Sequence, residues 1–113
     1  MIIVSESISL AELKKMAEER FGILVKAVID VKKEIIAVDA ELHADEEALL
    51  LEKGSKQEDL WGINIYPEMP ENERIEFDSM INLRPSQGNR TRGVDAPEIR
   101  QKIIKIVNKR VKK

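Results

Sequence analysis

The sequence predicts an α+β fold in which an antiparallel four- to five-stranded sheet carries about three helices, packed mainly on one face. Three observations indicate this architecture. Several stretches alternate apolar and polar residues as half-buried strands do, a capped amphipathic helix lies near the N-terminus, and a second amphipathic helix closes the chain. Because the 113 residues include no linker and no internal repeat, we expect a single domain over residues 1–113.

The N-terminal part is expected to contain a short strand followed by a capped helix. Ile2–Val4 is a short apolar run. Ser9 and Glu12 have the spacing of a capping box, in which each side chain accepts a hydrogen bond from an amide group at the start of the helix. Apolar residues then follow at helical spacing, and Gly22 is expected to end the helix.

Residues 24–43 fit either one face of a long helix or a β-hairpin, and the pattern favours the hairpin. Apolar and charged residues alternate over 25–32 and again over 36–43, and Lys32, Lys33 and Glu34 between them supply a polar reversal. Many of the apolar residues are β-branched, and their restricted side-chain rotation suits a strand better than a helix.

The second half is expected to contain a short helix, a pair of strands and the closing helix. Residues 45–53 form the short helix and Gly54 its cap. Residues 60–66 and 75–83 are predicted to be paired strands, joined by a polar loop with two prolines. The closing helix starts at Pro97, where a missing amide costs nothing. In the strand predicted over 75–83, the apolar and the polar side chains should point to opposite sides of the sheet. The apolar side chains are those of Ile75, Phe77, Ile81 and Leu83, and the polar ones are those of Glu76, Asp78, Asn82 and Arg84.

Composition and charge exclude several classes of function. With no cysteine and no apolar run near the roughly 20 residues of a membrane span, the chain is expected to be a cytoplasmic protein with no membrane partner. Its high lysine and glutamate content also fits a thermophile. Residues 1–83 carry 9 Lys or Arg against 19 Asp or Glu, whereas residues 84–113 carry 10 against 2. The basic end can attract phosphate, or it can be a helix that lies across an acidic body.

One open face of the sheet is expected to collect polar side chains. Asp39, Glu41 and His43 alternate along one predicted strand, and Asp78 follows on another. His43 is the only side chain with an unperturbed pKa near neutrality, so it is a candidate general base oriented by Asp45 or Glu41, or else a helix cap. No cofactor is expected, although Asp39, Glu41 and Asp78 leave a divalent-metal-dependent hydrolase or nuclease as an alternative.

The loop over residues 84–93 is the strongest candidate for ligand binding. Its arginines can bind phosphate or carboxylate through paired hydrogen bonds. Its amide side chains can act as polar selectors, that is, hydrogen-bonding groups that distinguish one ligand from another. Its glycines allow backbone amides to come close to a ligand. The loop matches neither a Walker sequence nor a dinucleotide fingerprint. We therefore expect a small anionic or phosphorylated ligand, bound by the following residues: Arg84, Gln87, Asn89, Arg90, Arg92 and Asn64.

Two alternatives to a small ligand are partners of another kind. The chain can be a protein-interaction module or a homodimer without catalysis, whose partner is another protein or a second copy of the chain. A nucleic acid partner is disfavoured by the acidic first 83 residues, and its binding would be confined to the arginine loop and the last helix. Trp61, the sole tryptophan, is expected in the core rather than on a base-stacking surface.

Three segments of the chain resemble a known family. The segments ELHAD (residues 41–45), GSKQEDLWGIN (54–64) and INLRPSQGNR (81–90) are similar to signature segments of small prokaryotic proteins grouped as a domain of unknown function. The resemblance covers nearly the whole chain and implies a stand-alone single-domain protein. It implies no activity, and it favours treating the three segments as parts of one site.

Overall fold

A computed structural model describes residues 1–113. The strands are β1 (Ile2–Val4), β2 (Ile8–Ser9), β3 (Val25–Asp30), β4 (Ile35–Val38), β5 (Leu60–Ile65), β6 (Ile75–Glu76) and β7 (Val111–Lys112), and the helices are α1 (Leu10–Arg20), α2 (His43–Glu52) and α3 (Pro97–Arg110). An antiparallel sheet has the order β1-β4-β3-β5-β6, and β2 and β7 form a separate parallel pair. The predicted α+β fold is confirmed, and none of the three helices combines the length and the apolar character of a membrane span.

Local signals account for α1 and for the β3–β4 hairpin. Ser9 caps α1 through the predicted capping box, and Gly22 follows the helix with a φ of 90°. In the hairpin, Asp30 organises the reversal, because its carboxylate accepts hydrogen bonds from the amides of Lys32 and Lys33 and from the Ser55 hydroxyl at 2.6 Å. The hairpin prediction is therefore confirmed.

Two apolar layers cover the two faces of the sheet. The larger layer packs α1 and α3 against one face, and it includes Trp61, which is 2% exposed, as expected. The smaller layer packs Leu50 of α2 against Val28, Ala37 and Leu60 on the opposite face. Two of the three helices thus share one face, but the other face is not the open polar surface that was expected. Its central positions are apolar because a helix covers them.

Two strand predictions extend too far. β4 ends at Val38, and Asp39 has a φ of 70°, a left-handed conformation that stops the strand, so Asp39 and Glu41 do not project from a sheet. β6 contains only two residues, and the chain then forms a short 3-10 turn at Met80–Asn82. As a result Phe77 packs against the larger layer and Ile81 against the smaller one, instead of sharing a side.

Side chains replace the missing part of β6 along the edge of β5. β6 pairs only with Asn64 and Ile65. Further along this edge, the Asn82 side chain accepts from the Gly62 amide at 2.8 Å and donates to the Gly62 carbonyl at 2.9 Å, and Arg84 donates to the Leu60 carbonyl at 2.6 Å. Because buried backbone groups need hydrogen-bond partners, these side chains allow the short 3-10 turn to lie where a strand was predicted.

Gly62 should tolerate no side chain at this edge. A Cβ atom there would lie 2.5 Å from the Ser79 Cβ. We expect Gly62→Ala to lower the free energy of unfolding by about 1–3 kcal/mol, the usual cost of overpacking. Urea unfolding of Gly62→Ala, Ser79→Gly and the double variant measures the coupling. The loss of unfolding free energy in the double variant should be smaller, by about 1 kcal/mol, than the sum of the losses in the two single variants. If the two losses simply add, the Gly62–Ser79 contact is not the cause.

Candidate functional site

A cleft of about 310 Å³ lies where α2, β3, β5 and the chain around the 3-10 turn meet. It gathers four residues that the sequence singled out, namely His43, Asn64, Asp78 and Arg92, and adds Lys26 from β3. Its other lining residues are Leu42, Ala44, Ser79, Met80 and Ile81. The cleft thus contains residues from all the polar segments of the chain that were expected to converge, but only some residues of each.

His43 is held in one orientation at the wall of the cleft. It is 8% exposed, and its Nε2 lies 2.7 Å from the carbonyl oxygen of Ile63 in β5. Because a carbonyl only accepts, Nε2 must carry the proton, and Nδ1 of the neutral ring is then an acceptor. Burial lowers the pKa of His43 below its ordinary value, although the bond to Ile63 opposes this shift. Near neutral pH, His43 can therefore accept a hydrogen bond or a proton through Nδ1.

The cleft has a positive charge balance. Arg92 forms an ion pair with Asp78, with Nε 2.8 Å from Oδ1, and both side chains remain largely exposed. Lys26 is the second cation, and its Nζ lies 5.0 Å from the centre of the Phe21 ring. The lining therefore holds two cationic side chains and one carboxylate beside a neutral imidazole. Such an excess of positive charge favours an anion at this place.

Asn64 adds polar groups to the same cleft. Its Nδ2 donates to Glu76 at 2.8 Å, and the Tyr66 hydroxyl donates to the same carboxylate oxygen at 3.0 Å. The Asn64 Oδ1 has no hydrogen-bond partner and is buried. A buried polar atom without a partner is uncommon, and among the residues that line the cleft only Asn64 has one.

The Arg84 side chain makes structural contacts within the protein. Its guanidinium stacks 4.3 Å from the centre of the Trp61 ring and donates to the carbonyls of Gln57 and Leu60. These partners lie at the start of β5 or just before it, whereas Arg92 lines the cleft together with Asn64, at the other end of that strand. The structure therefore separates the two arginines, which were expected to hold one anion together.

The remaining loop residues mostly shape the loop itself. Gln87 donates to the Glu58 carbonyl, and the Asn89 side chain donates to the carbonyls of Asn82, Thr91 and Gly93 and accepts from the Asp95 amide. Asn89 is 4% exposed, so its amide faces the protein. Arg90 is exposed and does not line the cleft. Of the predicted loop ligands, the structure brings only Arg92 to His43.

The other predicted carboxylates lie elsewhere. Asp39, Glu41 and Asp45 line a separate, wider hollow next to the N-terminus, where Asp39 forms an ion pair with Arg20 at 3.0 Å. Asp45 is two residues from His43 on α2 and so points away from it. Asp78 lies in the cleft, apart from Asp39 and Glu41, and the structure contains no group of three or more His, Asp or Glu side chains placed to hold a metal ion.

Glu46 and Lys26 were not among the residues predicted for a site, and Asn82 was predicted only as a polar residue of a strand. Glu46 is fully buried on α2, where Oε2 accepts from the Ala40 amide at 3.1 Å and Oε1 has no partner. Burial raises its pKa to about 9. Helical spacing from His43 to Leu50 could have identified Glu46 as inward-facing. Gly62 inside a strand could likewise have indicated the close contact that Asn82 and Ser79 make.

Comparison with known proteins identifies the family of the chain. A family model described as "Protein of unknown function (DUF5674)" matches residues 2–110. No curated protein and no solved structure matches the sequence.

Proposed function

The chain belongs to the DUF5674 family, and we propose that it binds a small anionic ligand, a phosphate ester or a carboxylate, in the cleft beside His43. The observation that carries this proposal is the charge balance of the lining. Arg92 and Lys26 face a single carboxylate, Asp78, in a protein whose net charge is −2. A local excess of cations in an acidic protein favours an anion at that place.

The size and the acceptors of the cleft narrow the class of ligand. A volume of about 310 Å³ is at the lower end for small-molecule sites, which suits a metabolite of a few carbons better than a nucleotide. The Nδ1 of His43 is an acceptor, because Nε2 donates to the Ile63 carbonyl. It suits a ligand that carries a hydroxyl or N–H donor next to its anionic group.

The test uses His43, because it is the only histidine and its imidazole NMR signals need no assignment. Glycerol phosphate and lactate are titrated separately into the protein. Binding of either should shift the His43 signals in a saturable way. Arg92→Gln should weaken that binding by about 10- to 100-fold, the loss expected for one charged hydrogen bond.

Two further variants make the result specific to the cleft. Asp78→Asn removes the competing carboxylate and frees Arg92, so it should bind the same ligand more tightly than the unmodified protein. Arg90→Gln makes the same charge change as Arg92→Gln in the same loop, but outside the cleft, and should leave the affinity unchanged. The proposal fails if neither ligand shifts the His43 signals, or if Arg90→Gln and Arg92→Gln have equal effects.

A further inference from the structure

The exposed side of α3 forms a second cationic surface, away from the cleft. A groove of about 620 Å³ runs along this helix and is lined by Lys102, Lys105 and Lys109 together with Glu34 and Glu98. Lys112 and Lys113 follow directly on the exposed end of the chain. We call the five lysines the basic surface.

Tertiary contacts fix the position of the basic end of α3. This end packs against the β3–β4 turn, where Lys109 donates to the Glu34 carboxylate at 3.1 Å and Arg110 donates to the Glu34 carbonyl at 2.9 Å. Lys33 of the same turn is directed elsewhere, because its Nζ donates to the Lys53 carbonyl at the end of α2. The basic surface is therefore formed by the lysines of residues 102–113 alone.

The protein neutralises only a small part of this charge internally. Of the basic residues in 97–113, only Lys109 forms an ion pair, and its partner is Glu34. Arg110 binds backbone carbonyls, and Lys102, Lys105, Lys112 and Lys113 have no carboxylate within 4.0 Å. A basic helix that lay across an acidic body would pair most of these side chains. The charge is instead directed to solvent.

We propose that the basic surface binds the phosphate backbone of a nucleic acid duplex without sequence preference. A duplex carries one negative charge for about each 1.7 Å of its axis, so a line of lysines can contact several phosphates. The apolar residues of α3, Ile103, Ile106 and Val107, are buried in the core and cannot enter a lipid bilayer. No aromatic side chain lines the groove along α3, so none is available there to stack on unpaired bases, and this favours a duplex over a single strand.

The proposal is tested by fluorescence anisotropy with labelled 20-base-pair DNA and RNA duplexes, from 50 to 200 mM salt. Both duplexes should bind, with an affinity that falls steeply as salt rises. Lys102→Gln with Lys105→Gln should weaken binding and lower the slope of log affinity against log salt by about 2, because each lost phosphate contact contributes about 0.9.

A matched control makes the same charge change elsewhere. Lys15 and Lys56 are exposed on α1 and in the segment before β5, and Lys15→Gln with Lys56→Gln should leave the affinity and the slope unchanged. The absence of binding to either duplex at 50 mM salt would overturn the proposal, as would equal effects of the two double variants. Binding to phosphatidylserine vesicles but not to the duplexes would assign the surface to membranes instead. None of these results depends on the cleft, which lies on other elements.

Discussion

Glu46→Gln should stabilise the protein at pH 8 by roughly 3–5 kcal/mol relative to the unmodified chain. The pKa of Glu46 is raised to about 9 in the folded protein, mainly by burial, and its ordinary value is 4.5. Each pH unit between these two values lowers the free energy of unfolding by about 1.4 kcal/mol, because the folded state keeps a proton that the unfolded chain has lost. Glutamine is neutral, has nearly the same shape, and can still accept from the Ala40 amide.

The sign of the effect follows from the direction of the shift. Because the folded pKa of Glu46 is raised, its contribution to stability is complete below about pH 4.5 and is lost as the pH rises towards 9. The unmodified protein should therefore lose stability relative to Glu46→Gln across this range. The pKa of His43 is lowered, so its contribution to stability increases as the pH rises. Both proteins contain His43, and this contribution therefore cancels in the difference between their free energies of unfolding.

Urea unfolding of both proteins at pH 4.5, 6, 7 and 8 measures this effect. The difference in free energy should be small at pH 4.5 and should increase at each higher pH. Glu52→Gln, at an exposed position on the same helix, is the control and should follow the unmodified protein at every pH. If the free energies of unfolding of Glu46→Gln and the unmodified protein differed by the same amount at every pH, Glu46 would not be buried in its protonated form.

Asn89→Ala should destabilise the fold by about 3–5 kcal/mol. The side chain donates to three backbone carbonyls and accepts from the Asp95 amide at 2.8 Å, and it is 4% exposed. Alanine would leave these groups without partners, and each buried unsatisfied group costs about 1–3 kcal/mol before the loop relaxes. One of the carbonyls belongs to Asn82, which in turn holds the edge of β5, so the loss should spread to the sheet.

Gln87→Ala is the matched control within the same loop. Its amide makes a single hydrogen bond at an exposed position, to the Glu58 carbonyl, and its removal should cost less than about 1 kcal/mol. Urea unfolding distinguishes the two variants, and the NMR titration described above reports on ligand binding. If Asn89→Ala kept full stability and lost only ligand binding, Asn89 would be the polar selector that the sequence predicted, and its structural role would be refuted.

Elements whose causes are local can be predicted from the sequence alone. The capping box of Ser9 and Glu12, the alternation in β3 and β4, and Pro97 at the start of α3 each act within a few residues, and the structure confirms all three elements. The core position of Trp61 was also predictable, because a lone tryptophan in an apolar strand is rarely left in water. His43 could be singled out by its chemistry alone.

Which polar side chains meet depends on contacts between distant parts of the chain. Arg84 and Arg92 look equivalent in the sequence, yet one stacks on Trp61 and the other reaches the cleft of His43. The strand expected over 75–83 stops at Glu76, because the Asn82 side chain takes the place of a backbone partner. The partners concerned lie about 20 or more residues apart in the chain. Periodicity reports only on neighbours along the chain, whereas a hydrogen bond between distant residues depends on how the helices and strands pack.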